Sequence, residues 1–352
     1  MSEAPGWNIL QLDVSTHCSL RCPTCPRTAF ASHWRNAHVP MEVVERLLPH
    51  AGRFKLVHLQ GWGEPLLHPE LPEIVRKFRK TGALCGLTTN GCHLTQSLGG
   101  RLVEAGLTSL TVSVSGATEE TQALLRPPSS LKEILANTRR FKVRAGESCQ
   151  VRLSFLRQPE NQRELSAAVR ICRELELDGM LAVNPTYLPA PEHEARLVSP
   201  GGATSWAEWK ARLAAVWHRQ DLTVSDVARG RMPSCLNRPR ENLTVAVDGG
   251  VSPCVFLQMP FTSVPEGFEG NLACFGNVLE SGLAEIWDRP GYREFRACFA
   301  RREEMCGGLV RGAMEDMDNG GSLKEFREAL ERMEREHPLP VACSGCLKAE
   351  GL

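Results

Sequence analysis

Through the first half of the chain, apolar β-rich runs alternate with segments of helical period, and that alternation restricts the fold to βα units around a parallel sheet. Strands are expected near 8–16 (NILQLDVST), 55–61, 83–90, 107–115, 149–156 and 179–187. Between them, 41–49, 69–81, 95–105, 130–145 and 160–176 carry apolar residues at three- and four-residue steps, as with Ile74, Val75 and Phe78. At 352 residues the chain has room for two domains, or for one large α/β barrel with an appendage.

After residue 187 the alternation stops, and PAPEHEARLVSPGGATS reads as a Pro/Gly-rich connection before a helical stretch at 205–219. A first domain over 1–204 and a second over 205–352 follow. In the second, LTVAVDGGVSPCVF reads as a short hairpin turning at Asp248-Gly249-Gly250, followed by helices near 281–298 and 322–335. KEFREALERMERE is a solvated amphipathic surface helix.

Lys plus Arg and Asp plus Glu both number 41, so bulk electrostatics excludes a polyanion-binding protein, and no nucleic-acid partner is expected. No apolar run approaches the length of a membrane span, so no membrane partner is expected either. Fourteen cysteines require an explanation. The N-terminus lacks a secretory pattern, which implies a reducing cytoplasm, where closely spaced cysteines serve as metal ligands or catalytic groups rather than disulfides.

Cys18, Cys22 and Cys25 form CxxxCxxC directly after the first expected strand. Three thiolates from one loop can hold three irons of a cubane cluster and leave the fourth iron open to another ligand. On the cysteines alone, a zinc site completed by His17 or a distant cysteine is the competing reading. GWGEP, Gly61 to Pro65, read alone is a turn in which glycines supply unusual backbone angles. A buried Glu64 on the same barrel edge as the cysteine loop is more specific, since active sites gather on that face.

These residues together resemble the radical S-adenosylmethionine (SAM) enzymes, whose CxxxCxxC follows the first strand of a partial barrel. The resemblance covers about residues 8–187 and implies a partial (β/α)6 TIM-like barrel, α/β in class, followed by a small α+β domain. It implies a [4Fe-4S] cluster on Cys18, Cys22 and Cys25 whose open iron binds the amino and carboxylate groups of SAM. GWGEP stands where the family has GGEP against the methionine amino group, TTNG (Thr88 to Gly91) ends the third strand, and SVSG (Ser113 to Gly116) replaces SxDG, with Ser113 reaching SAM. Gly61, Trp62, Gly63, Glu64, Pro65, Ser113 and Ser115 are thus expected at the cofactor. Four positions depart from the pattern: Ser19 replaces the usual Asn; Thr24 replaces an aromatic and leaves only a backbone contact; Ser115 removes a negative charge; Trp62 either narrows the methionine pocket or packs outward.

Cys235 and Cys254 bracket the hairpin, and Cys343 and Cys346 form CxxC near the C-terminus. Four thiolates can close a cluster or a zinc site. CLNRPRENLTVAVDGGVSPC, FGNV, LAEIWDRPGYREFR and CSGC resemble the SPASM or shorter twitch extensions of radical SAM enzymes, which implies one auxiliary [4Fe-4S] cluster on these four cysteines. Cys298 and Cys306 stand outside the set. Cys85, Cys92, Cys149, Cys172 and Cys274 are read as buried small hydrophobes.

His17, His33, His38, His58 and His68 crowd the N-terminal quarter without a helical HxxxH, so solvated or hydrogen-bonded histidines are expected, with His17 near the open site. Trp206, Trp209 and Trp217 read as one packing face. Arg126 pairs with a carboxylate or caps its helix, and Arg152, Ser154, Asn184 and Tyr187 are placed at the substrate pocket by their strand-end positions. The resemblance implies reductive cleavage of SAM and hydrogen abstraction from a substrate, with reduced ferredoxin or flavodoxin as electron donor. QGWGEPLLHPE and SVSGAT resemble a subgroup that matures tungsten-cofactor oxidoreductases, so peptide, protein or cofactor maturation is the expected class. Small-molecule dehydrogenation is the alternative, and a non-catalytic iron-sulfur or zinc scaffold the rival outside catalysis.

Overall fold

The computed structural model describes residues 6–185, 222–224, 235–266, 268, 271–318, 323–344 and 346. All six expected strands form: β1 (Ile9–Leu12), β2 (Leu56–Leu59), β3 (Leu84–Thr89), β4 (Ser109–Val114), β5 (Gln150–Leu156) and β6 (Gly179–Val183). They are parallel and adjacent in chain order. β7 (Leu222–Val224) extends the β6 edge in parallel. On the opposite edge β8 (Leu243–Val245) pairs in parallel with β1 and carries β9 (Gly250–Ser252) and β10 (Gly276–Asn277) as antiparallel neighbours. The resulting ten-stranded open sheet is a partial barrel whose hairpin from the C-terminal region continues the same hydrogen-bonded surface.

Strand periodicity sets the two faces. Leu10, Leu12, Val57, Leu59, Leu110, Val112, Leu153 and Phe155 are buried in one core with Ile74, Val75, Phe78, Ile134, Phe141 and Val169 of the helices. Each such side chain contributes about 1.5–3 kcal/mol by leaving water. Gln11, His58, Thr88, Ser113, Arg152 and Ser154 project from the other face and are only partly buried. The barrel interior is therefore polar, a composition suited to a ligand cavity rather than a packed core.

The helices are α1 (Pro26–Ala29), α2 (Met41–Ala51), α3 (Leu71–Lys80), α4 (Gln96–Glu104), α5 (Glu119–Leu125), α6 (Leu131–Ala145) and α7 (Leu165–Glu174). Local chemistry fixes their starts. Thr95 accepts from the Leu98 amide before α4, Thr118 from Thr121 before α5, and Ser130 from Glu133 before α6.

Beyond the hairpin lie α8 (Leu283–Trp287), α9 (Pro290–Asp318) and α10 (Leu323–Glu336). The single helix expected over 281–298 is thus two: it breaks at Asp288-Arg289, and α9 starts at Pro290 and continues to Asp318. Pro at a first helical position fits because its missing N–H has no partner there in any case. Trp7 stacks on Phe54 at 4.8 Å and meets Trp287 edge-on at 5.8 Å, joining both ends of the chain in one core. The expected helix at 205–219 with its three tryptophans, Tyr187 and the boundary at 204/205 lie outside the described residues. Among the described residues, no helix is long and apolar enough to cross a membrane.

Candidate active site

The cysteine loop leaves β1 at the C-terminal edge of the sheet, and Cys18, Cys22 and Cys25 are all half-buried. Two turn bonds shape it: the Cys25 amide donates to Cys22 O at 3.0 Å, and the Leu20 amide to the Cys18 sulfur at 3.4 Å. Burial raises the Cys18 thiol above its usual range, with the nearby Glu64 charge adding to it, and burial pushes Cys25 up to about 11. At neutral pH these sulfurs hold protons until a cation displaces them, the behaviour of a soft-metal site rather than of an exposed nucleophile. Three thiols from one loop, two of them facing a cavity, suit a cluster with one open iron.

GWGEP packs directly beneath this loop. Gly63 has no room for a side chain, since a Cβ there would lie 2.1 Å from Ser15 O and 2.6 Å from His17 O. A Cβ on Gly61 would strike the Asp13 carboxylate at 1.9 Å. Gly63 is thus required by close backbone approach, and Gly61 by the buried Asp13 side chain. The Glu64 amide donates to His17 O at 2.7 Å, tying the two loops together.

The Glu64 side chain is buried and satisfied by the protein itself. It accepts from Thr89 Oγ1 at 2.6 Å, the Asn90 amide at 2.7 Å and the Leu66 amide at 3.0 Å. Burial nevertheless raises its pKa. Its carboxylate therefore braces the end of β2 against the end of β3, and through TTNG against the cysteine loop: Asn90 Nδ2 points at the Cys18 sulfur at 3.8 Å. His93 and Ser19 make a second contact at 3.0 Å.

Trp62 packs against the C-terminal hairpin and also faces the cavity beside the cysteine loop. Its indole N–H donates to Gln258 O at 2.6 Å and Val255 O at 3.1 Å, and its ring meets Phe256 and Trp34 edge-on at 5.9 and 6.5 Å. Where the family pattern has glycine, this chain clamps the barrel to its C-terminal hairpin. Asp13, which the sequence reading passed over, supports that clamp by accepting from the Trp62 and Ser15 amides at 3.2 and 3.3 Å. Burial lifts its carboxyl from 3.8 to about 7. A lone acid inside the apolar β1 run was the available signal.

A cavity of about 660 Å³ opens between these parts, lined by Cys22, Thr24, Cys25, Trp62, Ser115, Arg126, Gln158 and Asn184, with Gln11 and Gln60 from the barrel interior. Ser115 lines it, whereas Ser113, Glu64 and Gly63 are not among its lining residues. Arg126 is the residue that ends α5, and its Nε is buried without a partner. Both amide atoms of Asn184 and Oε1 of Gln158 are likewise buried and unpartnered. Sequence reasoning missed Gln158, since a carboxamide just past a strand carries no motif. Arg152 and Ser154, expected at this pocket, are not among its lining residues.

The far wall is built from the second cysteine set. Leu236, Asn237, Val255 and Phe256, the residues immediately after Cys235 and Cys254, line the same cavity. Burial pushes the Cys254 thiol up to about 12, with the charges of Cys235 and Cys346 adding to it. Burial raises Cys343 too, and there Cys254, Cys346, Cys235 and Cys298 all add. Cys235, Cys254, Cys343 and Cys346 thus lie near enough to act on one another electrostatically, and Cys298 acts on Cys343, but among the described residues no three Cys, His, Asp or Glu side chains are grouped as a metal site. Asn271 Nδ2 pins the CxxC turn through Val341 O and Ser344 O at 3.2 and 3.3 Å.

Among the remaining cysteines, Cys85, Cys149 and Cys172 are buried as expected. Cys92 is half-buried beside the first cysteine loop. Cys274 corrects the expectation of a buried hydrophobe: it is exposed, because it precedes the short edge strand β10, and its thiol contacts Gly276 O at 3.3 Å. His17 stacks on His38 at 4.5 Å and His38 meets His68 at 5.1 Å, so these three rings pack on one another.

Comparison with known proteins agrees with this geometry. Residues 12–169 match the Radical SAM superfamily model, and residues 235–308 the SPASM iron-sulfur cluster-binding domain model. The chain is similar to the tungsten-containing aldehyde ferredoxin oxidoreductase cofactor-modifying protein of Pyrococcus furiosus, 25% identical over 306 residues and 82% of each chain. It is also similar to the AdoMet-dependent heme synthase of Methanosarcina barkeri, 25% identical over 82% of this chain and 83% of that one. Among solved structures, Streptococcus suis SuiB bound to S-adenosylmethionine has a TM-score of 0.63 at 14% identity, covering 83% of this chain and 68% of that one. Native anSMEcpe with bound AdoMet has a TM-score of 0.60 at 18% identity, covering 82% and 83%. A partial barrel with a cysteine loop at the end of β1, and a cysteine-bearing extension closing the same cavity, belong to an enzyme of the radical SAM superfamily with a SPASM domain, whose cofactors are a [4Fe-4S] cluster, SAM and auxiliary iron-sulfur.

Proposed function

We propose that this enzyme matures a peptide, protein or cofactor precursor held in the 660 Å³ cavity. The supporting observation is that one cavity is walled on one side by the Cys22–Cys25 loop and on the other by the residues next to Cys235 and Cys254. In this reading Cys18, Cys22 and Cys25 hold the first cluster, and Cys235, Cys254, Cys343 and Cys346 hold one auxiliary cluster. The first cluster, when bound, supplies the electron that cleaves SAM to a 5′-deoxyadenosyl radical, which takes a hydrogen atom from the substrate.

The chain's own residues position and protect. Arg126, with its unpartnered Nε, receives a carboxylate, and Gln158 and Asn184 offer unpartnered amides to the bound molecules. Leu125, Leu156 and Val183 exclude water from the reacting atoms. Glu64 and the two loop glycines hold the cofactor-binding backbone, and Thr24 and Ser115 line the cavity beside it. The electron donor is a reduced ferredoxin or flavodoxin. The named activity of the Pyrococcus relative supports a cofactor of a tungsten oxidoreductase as the target.

The deciding experiment compares the wild type with the Cys18→Ala/Cys22→Ala/Cys25→Ala variant after anaerobic reconstitution. The wild type should hold about eight irons, two clusters of four, and form 5′-deoxyadenosine from SAM and dithionite. The variant should form none while keeping about half the iron. Loss of all iron would contradict two independent sites.

A further inference from the structure

The chain is neutral as a whole, but its charge is not evenly spread. α3 carries Arg76, Lys77, Arg79 and Lys80 against Glu73, and α6 carries Lys132, Arg139, Arg140, Lys142 and Arg144 against Glu133. These helices flank α4 on the outside of the barrel. Between α4 and α6 lies a groove of about 900 Å³ lined by Arg101, Arg139, Arg140, Arg144 and the exposed Val143. Arg144 pairs with Glu104 at 3.0 Å, whereas Arg101 and Arg139 are exposed and make no ion pair among the described residues.

Gly100 keeps the groove hollow. It sits in the middle of α4, where glycine is about 1 kcal/mol worse than alanine, yet a Cβ there would meet nothing within 4 Å. Packing against the protein does not explain it. A side chain at this position would project into the groove.

The floor of the groove leads to the cysteine loop. Arg140 bonds Asn137, Asn137 Nδ2 donates to Gly91 O at 3.0 Å, and Asn90, the next residue back, points its amide at the Cys18 sulfur at 3.8 Å. The sheet lies between this groove and the cavity, so a substrate docked outside could not reach the reacting atoms. An electron could.

We propose that the α4–α6 groove docks an acidic one-electron carrier protein, with Arg101, Arg139, Arg140 and Arg144 meeting its carboxylates and the Asn137–Gly91–Asn90 path leading to the Cys18 side of the cluster site. In each encounter the reduced carrier loses one electron and the enzyme gains it, with no bond made or broken. The inference rests on the functional reading above for the need of a donor, but the surface is tested separately by binding.

Two variants serve the test: Arg101→Glu/Arg139→Glu, which reverses charge, and Gly100→Leu, which fills the groove while favouring the helix. Affinities of the reconstituted enzyme for flavodoxin and for a [2Fe-2S] ferredoxin are measured by calorimetry, with Arg170→Glu on α7 as control. At least one carrier should bind the wild type, more weakly as salt rises from 50 to 300 mM, as exposed charges require. Both groove variants should weaken that binding at least tenfold, the control should not, and dithionite-driven 5′-deoxyadenosine formation should be unchanged in all. Wild-type binding to neither carrier, or equal affinity in the groove variants, overturns the docking surface. A wild type that binds a carrier normally but forms no 5′-deoxyadenosine with dithionite would sink the functional reading and leave the surface standing.

Discussion

At Asp13 a single carboxyl group couples the strand that delivers the cysteines to the loop that follows β2. Its pKa is raised by burial to about 7 against 3.8, so the folded protein binds a proton that the unfolded chain has released. Stability from this group is therefore fully present at low pH, falls as pH rises between about 4 and 7, and is flat above that. Asp13→Asn, which mimics the protonated acid, should flatten that window. Unfolding free energies of wild type and variant from urea titration should agree near pH 4 and diverge by a few kcal/mol at pH 8, the order set by about 1.4 kcal/mol per pH unit. A variant less stable at both pH values would show that the carboxylate itself is needed. Gly63 makes a different demand. Its neighbours are backbone oxygens that cannot rotate away, so Gly63→Ala should destabilise by about 1–3 kcal/mol and weaken SAM binding at least tenfold, measured by equilibrium dialysis on reconstituted protein.

Among elements, the hairpin β8–β9 is the one whose position most affects the site. Trp62 holds it by two indole bonds to neighbouring carbonyls. Trp62→Phe keeps the ring contacts and loses those bonds, so it should destabilise by about 1–2 kcal/mol and raise hydrogen exchange across 250–258 while leaving α6 and α7 unaffected. Unchanged exchange there would mean that the β1–β8 ladder alone holds the hairpin. The six strands and α2, α3, α4, α6 and α7 were legible because period two and period 3.6 differ plainly over segments of this length, whereas the short α1 and α5 were not expected. α9 was less so: a helix was expected only as far as 298, yet Tyr292, Phe295 and Phe299 anchor its first turns in the core and the helix carries through Gly307 and Gly308 to Asp318. Sequence offered two placements for Trp62 and no means to choose, because its indole bonds go to carbonyls almost two hundred positions away.

For the molecule as a whole, one cavity is lined by the barrel and by residues of the C-terminal hairpin, and in the proposed reading the second cysteine set closes only when the C-terminal CxxC returns to Cys235 and Cys254. The cysteine spacing made the iron-sulfur extension legible, since four soft ligands in a reduced chain have few other uses. The cavity's polar lining was not conveyed, because isolated carboxamides carry no pattern until the barrel assembles them. A chain ending before Cys343 should lose about half its iron and unfold at lower temperature in its C-terminal part, since cluster ligation there also contributes folding free energy. Iron analysis with calorimetry checks both. Full iron retention, or zinc in anaerobically purified protein, would remove the proposed auxiliary cluster from these four cysteines.

The parallel pairing of β1 with β8 also bears on how the protein is made. While the chain is emerging from a ribosome, β1 has its β2 neighbour early, but its other edge stays open until Leu243 and the residues after it have been synthesised. An unpaired apolar edge of that kind invites contact between nascent chains. The cysteine loop, which hangs from the same strand, gains its Trp62 clamp only at that late moment. Iron delivered during translation would meet a half-built receptacle, so productive loading belongs after release, and a cell that overproduces this chain faster than it completes that last strand pairing should accumulate it as aggregate rather than as apoprotein.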